Sequence, residues 1–325
     1  MIQLNLSSED KLIIYCSRID INEDIKFEIK KILSTVLDWN YIIDCSTKQG
    51  VTPLLYWELL KIYKSGSVPS KVMEFLENTY YSNLARNMLL YGELSRILAA
   101  FKKIDIDTIV MKGAFLAEKV YKNIGLRSMS DIDLLIRGKD LQKVIDEFIN
   151  LTYFAKTIDP AIFHELTTGL RNYNELQFIH KSKKNMIEIH WDISNSKDLY
   201  NIEISNFWEN AKPIKIANSE TLTFASENLL QHLCIHIENH LNSSNPRSGK
   251  PFRGYCDIAT VTRHYKDTIN WDYLLQSSRS YGIEKAVFQS LFIAKECFGA
   301  LVPKDVISEL DTVRSNIVFE NIFRE

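Results

Sequence analysis

Asp131-Ile-Asp133 places two carboxylates two residues apart in a stretch, Ser130–Ile136, where acidic and apolar residues alternate. In an extended strand residues i and i+2 project from one face, so this spacing aims both carboxylates at one point. Two such groups repel each other unless a cation or a proton lies between them. Mg²⁺ is the natural cation, because it takes one or two carboxylates and completes its octahedron with phosphate oxygens and water. Ile132, Leu134 and Ile136 on the opposite face would anchor the strand in a core. A solvent-facing edge strand with two acids has the same pattern, so the surrounding residues must decide.

About twenty residues upstream, Lys112-Gly113 stands between a strand-like and a helix-like stretch. A glycine at such a turn lets backbone approach phosphates, and the following helix start supplies N–H groups and a positive dipole. Lys112 would add a mobile cation there. Downstream, Met186–Ile193 alternates with Glu188, His190 and Asp192 on one face and Ile187, Ile189, Trp191 and Ile193 on the other. Glu188 therefore offers a third carboxylate, and His190 on its face could contact phosphate or orient an acceptor. Arg127 has the planar fork suited to phosphate. Arg253 could do the same from the C-terminal half, or form a surface ion pair with Asp257 one helical turn later. His232, His236 and His240 share a helix face, but His236-Ile-Glu-Asn-His240 lacks the glutamate offset of a zinc protease. They are read as pocket or supporting residues.

The elements that position these groups follow from periodicity. Ile25–Leu37 carries a helical stripe, a break at Gly50–Pro53 precedes a helix over Leu54–Tyr63, and Ser65–Ser70 is a loop. A proline-free helix runs from about Lys71 to Lys103. The pattern then changes. Ile106–Met111 is expected as a strand, Ala114–Tyr121 as a helix and Ser130–Ile136 as the carboxylate strand. A turn at Gly138-Lys-Asp140 leads into a helix striped by Leu141, Val144, Ile145, Phe148 and Ile149. Residues 151–172 read as an irregular or helical insertion, Tyr173–His180 and Met186–Ile193 as a hairpin, and the chain from about Thr221 as helical. The resulting division is an N-terminal helical region 1–103, a core 104–195 and a C-terminal helical domain 196–325.

Ile109-Val-Met-Lys-Gly-Ala-Phe-Leu-Ala-Glu-Lys-Val-Tyr121, followed by Gly125-Leu-Arg-Ser-Met-Ser-Asp-Ile-Asp133, resembles a largely uncharacterised bacterial nucleotidyltransferase family of the DNA polymerase β superfamily. Gly50-Val-Thr-Pro-Leu-Leu-Tyr56, Ile187-Glu-Ile-His-Trp191 and Phe252-Arg-Gly-Tyr-Cys-Asp-Ile-Ala259 extend the likeness over most of the chain. The superfamily's usual turn is Gly-Ser, and this branch has Lys-Gly in its place. The resemblance implies an α+β fold, with a small mixed sheet of polymerase β type between N-terminal helices and a C-terminal helical domain. It implies Asp131, Asp133 and Glu188 as catalytic residues and ligands of two Mg²⁺ ions. Lys112, Gly113, Ser130, Arg127, His190, Arg253 and Asp257 would then bind a nucleotide donor. The family more often has aspartate where Glu188 stands, so this carboxylate would reach further out. Relatives often lie beside natural-product or polysaccharide genes, which implies a small-molecule or modified-peptide acceptor.

Bulk composition fits that reading. A net charge of -2 provides no global basic field and argues against nucleic acid as a partner. The five scattered cysteines form no C-x-x-C pair, and the N-terminus lacks the basic start and apolar run of a signal peptide. No uninterrupted apolar run of about 18 residues occurs, so a membrane partner is not expected and the chain reads as cytoplasmic. Two rival functions share the same residues. Glycosyl transfer from a nucleotide-sugar would use D-x-D to hold a metal–diphosphate, although the helical first 100 residues do not match the Rossmann-like half usual there. A non-catalytic nucleotide-binding or antitoxin-like protein would not need all three carboxylates.

Overall fold

The computed structural model describes residues 6–62, 66–156, 174–182, 185–193, 200–242 and 252–311. The N-terminal third is helical: Ser8–Cys16, Glu23–Leu33, Trp39–Lys48, Thr52–Ile62 and the long Ser70–Lys103. The stripe expected as one helix over 25–37 ends at Leu33, and the next helix starts at Trp39. Asp38 enforces that restart, because its side chain accepts from the N–H groups of Asn40 and Tyr41. Ser7 and Asp10 cap the first helix reciprocally, and the Asn22 side chain caps the second by accepting from the N–H of Ile25.

Seven strands form one mixed sheet: β1 Ile109–Val110, β2 Asp131–Leu135, β3 Tyr153–Ala155, β4 Glu175–His180, β5 Met186–His190, β6 Lys212–Ile216 and β7 Ser219–Thr223. Their spatial order is β3-β4-β5-β2-β1-β7-β6. β2 runs parallel to β5 and β1 parallel to β7, while the remaining neighbours are antiparallel. The α+β class is therefore as expected, with a sheet larger than expected. Ile106–Met111 supplies only the two residues of β1. β3 lies at the start of the segment read as irregular or helical; residues 157–172 of that segment, and residue 173 of the expected hairpin, lie outside the described residues. The hairpin β6–β7 adds two strands from beyond residue 195. It turns through Ala217 and Asn218, both at positive φ, the geometry that matches strand twist in a two-residue hairpin.

One sheet face is buried against the long helix and the Leu141–Asn150 helix. Ile132, Leu134, Ile187 and Ile189 are fully buried there, and Phe148 stacks on Phe178 at 4.5 Å while meeting Phe101 edge-on at 5.6 Å. The C-terminal helices Ser226–Asn242, Phe252–His264, Trp271–Tyr281, Glu284–Phe298 and Lys304–Leu310 form their own packed layer. Among the described residues no helix is long and apolar enough to cross a membrane.

Candidate active site

The parallel pairing of β2 with β5 sets Asp133 directly beside Glu188, and Leu135 beside His190. Alternation keeps the acidic residues off the buried apolar face, so the two strands present carboxylates and imidazole together. Asp133, Glu188 and His190 each offer a ligand atom within 4.8 Å of the others. His190 Nε2 lies 3.2 Å from Asp133 Oδ1 and 3.7 Å from Glu188 Oε2, while its Nδ1 lies 3.4 Å from Glu175 Oε2. Gln177 Nε2 donates to Glu188 Oε1 at 2.9 Å and fixes that carboxyl from the neighbouring strand. Sequence reasoning missed Glu175 and Gln177, which act only through the β4–β5 register.

Lys112 is buried rather than mobile, and its Nζ donates to Asp133 Oδ1 at 3.0 Å. It opens a short helix, Lys112–Phe115, with φ of 33°, a region costly for a side-chain-bearing residue. The helix continues as a π-helical turn, Leu116–Val120, an irregularity that favours functional sites. Electrostatics divide the carboxylates. Burial opposes ionisation of Asp133, but the Lys112 ammonium and the His190 hydrogen bond outweigh it and hold its carboxyl well below the usual range. Burial, with the charges of Asp133 and Asp131, pushes Glu188 up to about 9. Burial and Asp133 also raise Asp131, whose carboxylate accepts from Ser130 Oγ at 3.0 Å. Asp131 thus neighbours the three-residue cluster without being within its compact set.

Of the residues expected to grip phosphate, Arg127 and Asp257 are engaged with each other. Arg127 donates from Nε and Nη2 to the two oxygens of Asp257, at 3.0 and 2.8 Å, and Tyr121 donates to the same carboxylate at 2.9 Å. Arg127 and Asp257 are both buried, so the fork is spent on tying the loop before β2 to the Phe252–His264 helix. Asp257 therefore pairs with Arg127 rather than Arg253. Arg253 Nη1 donates to the Ser128 carbonyl at 3.2 Å. Gly113 makes room for protein rather than for phosphate: a Cβ there would stand 2.9 Å from Arg127 Nη1 and 3.1 Å from Met129.

His232, His236 and His240 line up along the Ser226–Asn242 helix toward the site. His240 and His236 share an Nε2–Nε2 contact at 2.9 Å, and both nitrogens of the buried His232 lack a hydrogen-bond partner. Burial, then the Lys112 charge, depresses His232 and His236 well below the ordinary imidazole value, so they stand as neutral rings near the cluster. A cavity of about 390 Å³ opens between the N-terminal helices and the loop Ser128–Ser130. The C-terminal helices contribute Arg253 to its lining.

Residues 35–299 match a family described as uncharacterised nucleotidyltransferase. No curated protein matches the chain. Among solved structures it is similar to the antibiotic-resistance factor ANT(2'')-Ia, at 10% identity and a TM-score of 0.38, covering 59% of this chain and 98% of that one. It is also similar to an antigenic nucleotidyltransferase-like protein from Paracoccidioides brasiliensis, at 12% identity and a TM-score of 0.36, covering 64% and 93% respectively.

Proposed function

The chain belongs to this nucleotidyltransferase family, and from that premise we propose that it moves a nucleotidyl group from a nucleoside triphosphate to a hydroxyl or phosphate of a small molecule or modified peptide, with divalent metal at Asp133, Glu188 and His190. The observation that carries this reading is the register of β2 against β5, which converges two carboxylates and an imidazole within 4.8 Å. The donor set fits a cation. Negative charge there exceeds what Lys112 neutralises, and the excess is met by a proton held on Glu188. Two carboxylates suit Mg²⁺ or Mn²⁺, and the imidazole favours Mn²⁺ or a later metal over Mg²⁺. Asp131 stands beside the set as a further carboxylate, available to a second ion.

When bound, the metal would neutralise phosphate oxygens and so favour attack at phosphorus. The chain's own residues do the rest. Asp133 stays ionised at neutral pH because Lys112 and His190 hold it so. Glu175 holds His190 from its Nδ1 and orients the ring, so that Nε2 faces Asp133 and Glu188, where the metal would sit. Glu188, at the outer edge of the cluster, is placed to take the proton of the acceptor oxygen once it is ionised itself. That oxygen bonds to the α-phosphorus as the bond to pyrophosphate breaks.

Calorimetry with ATP, CTP, GTP, UTP and UDP-sugars, each with Mg²⁺, Mn²⁺ or EDTA, tests the proposal. Metal-dependent binding of a triphosphate that disappears in Asp133→Asn supports it. Preference for a UDP-sugar would redirect the reading to glycosyl transfer, and metal-independent or absent binding would refute it.

A further inference from the structure

Fourteen residues line the 390 Å³ cavity; Lys48, Arg86 and Arg253 are cationic, six carry hydroxyls, and none is acidic. In a chain of net charge -2 that composition is a local reversal of sign. Lys48 is engaged by Asp44 at 3.0 Å. Arg86 and Arg253 form no ion pair with a described residue, and the one hydrogen bond that Arg253 makes to a described residue is to the Ser128 carbonyl. Burial and the nearby Arg127 work against the Arg253 charge while Asp257 and Asp131 support it only in part, so an anion in the cavity would add to that support. The position is built for it. Gly50, at φ of 71°, presents no side chain, and a Cβ there would lie 3.3 Å from Arg253 Nη1.

Position assigns the anion to one substrate. Neither Lys112 nor Gly113 lines the cavity, whereas Met129, whose side chain packs against Gly113, does. Ser130 belongs to the cavity wall and also donates to Asp131, so the cavity adjoins that carboxylate through a single residue without Lys112 in its wall. The volume suits a small polar metabolite rather than a polymer.

We propose that this cavity, between the N-terminal helices and the Ser128–Ser130 loop, is an acceptor subsite that recognises a phosphate-type oxyanion through Arg86 and Arg253. The acceptor is then a small phosphorylated molecule, and the N-terminal helical region supplies ten of the fourteen residues that line its site. This inference rests on the nucleotidyltransferase reading for the word acceptor, and its test separates the two.

The full chain in EDTA is titrated calorimetrically with inorganic phosphate, ribose 5-phosphate and ribose, so that metal-dependent donor binding is silent. Expected is binding of both phosphates but not ribose, weakened roughly ten- to hundred-fold in Arg86→Gln and in Arg253→Gln, the loss of a charge-assisted hydrogen bond. Arg86 is exposed on its helix, so its variant reports on the site even where Arg253→Gln disturbs the loop. The titration is then repeated with each Mg²⁺–triphosphate present. Simultaneous binding supports an acceptor subsite, and displacement by a triphosphate overturns it in favour of the donor. Equal affinity for ribose and its phosphate, or indifference to both substitutions, also overturns it. Absence of metal-dependent triphosphate binding would instead sink the nucleotidyltransferase reading, whatever the phosphate titration shows.

Discussion

Replacing Glu188 by glutamine removes one ionisable group from the carboxylate cluster while preserving shape and an oxygen to accept from Gln177. The wild-type carboxyl sits near 9 in the folded chain against an ordinary 4.5, so between those values folding takes up about one proton. An acid raised by folding contributes stability that is complete below about 4.5 and is lost as pH climbs through about 9. The limiting slope is about 1.4 kcal/mol per pH unit, so wild-type stability falls by up to about 3 kcal/mol from pH 6.5 to 8.5 relative to the variant. That proton is shared within a cluster that includes Asp131 and Asp133, so the slope belongs to the group and the figure is an upper bound. The depressed histidines slope the other way, but they are common to both proteins and cancel in the difference. Urea denaturation in EDTA at pH 6.5, 7.5 and 8.5 measures it directly. Glu188→Gln is expected to gain on the wild type as pH rises, and added Mn²⁺ to stabilise the wild type more at high pH than at low. Parallel pH profiles for the two proteins would refute the like-charge account of this site.

Three further substitutions probe its supports. Lys112→Met leaves buried Asp133 without its ammonium and is expected to cost about 3–5 kcal/mol at pH 8 in EDTA, partly recovered by Mn²⁺; undiminished stability in a urea titration would show that Lys112 is not the counter-charge. Asp257→Asn breaks the buried bidentate pair with Arg127, with an expected cost of about 3–5 kcal/mol, and Arg127→Met/Asp257→Leu should regain most of it. A double variant no more stable than Asp257→Asn would contradict that. Gly113→Ala forces a Cβ against Arg127 and Met129, so a loss of about 1–3 kcal/mol in thermal or urea unfolding is expected, and a wild-type midpoint would mean the loop yields freely.

What could be read from sequence, and what could not, follows the range of the interactions involved. Asp131, Asp133, Glu188 and His190 were legible because strand alternation fixes facing within a few residues, and their strands do run side by side. Asp38 shows how a local signal was overlooked: its capping oxygen restarts a helix inside a stripe that looked continuous. The hairpin β6–β7 escaped because Ala217-Asn218 lacks the glycine that marks such turns. Arg127 was misread for a deeper reason. A guanidinium that binds phosphate and one that binds a carboxylate look identical in sequence, and the deciding partner, Asp257, lies 130 residues away. The same argument turns attention to Arg86. Nothing in its neighbourhood along the chain marks it as functional, since it is an exposed arginine on a long helix. It gains meaning only because the fold carries that helix past the loop before Asp131, where Arg253 arrives from the opposite end of the chain. The carboxylate cluster is written in two short strands, whereas the cavity beside it is assembled from segments that share no local pattern.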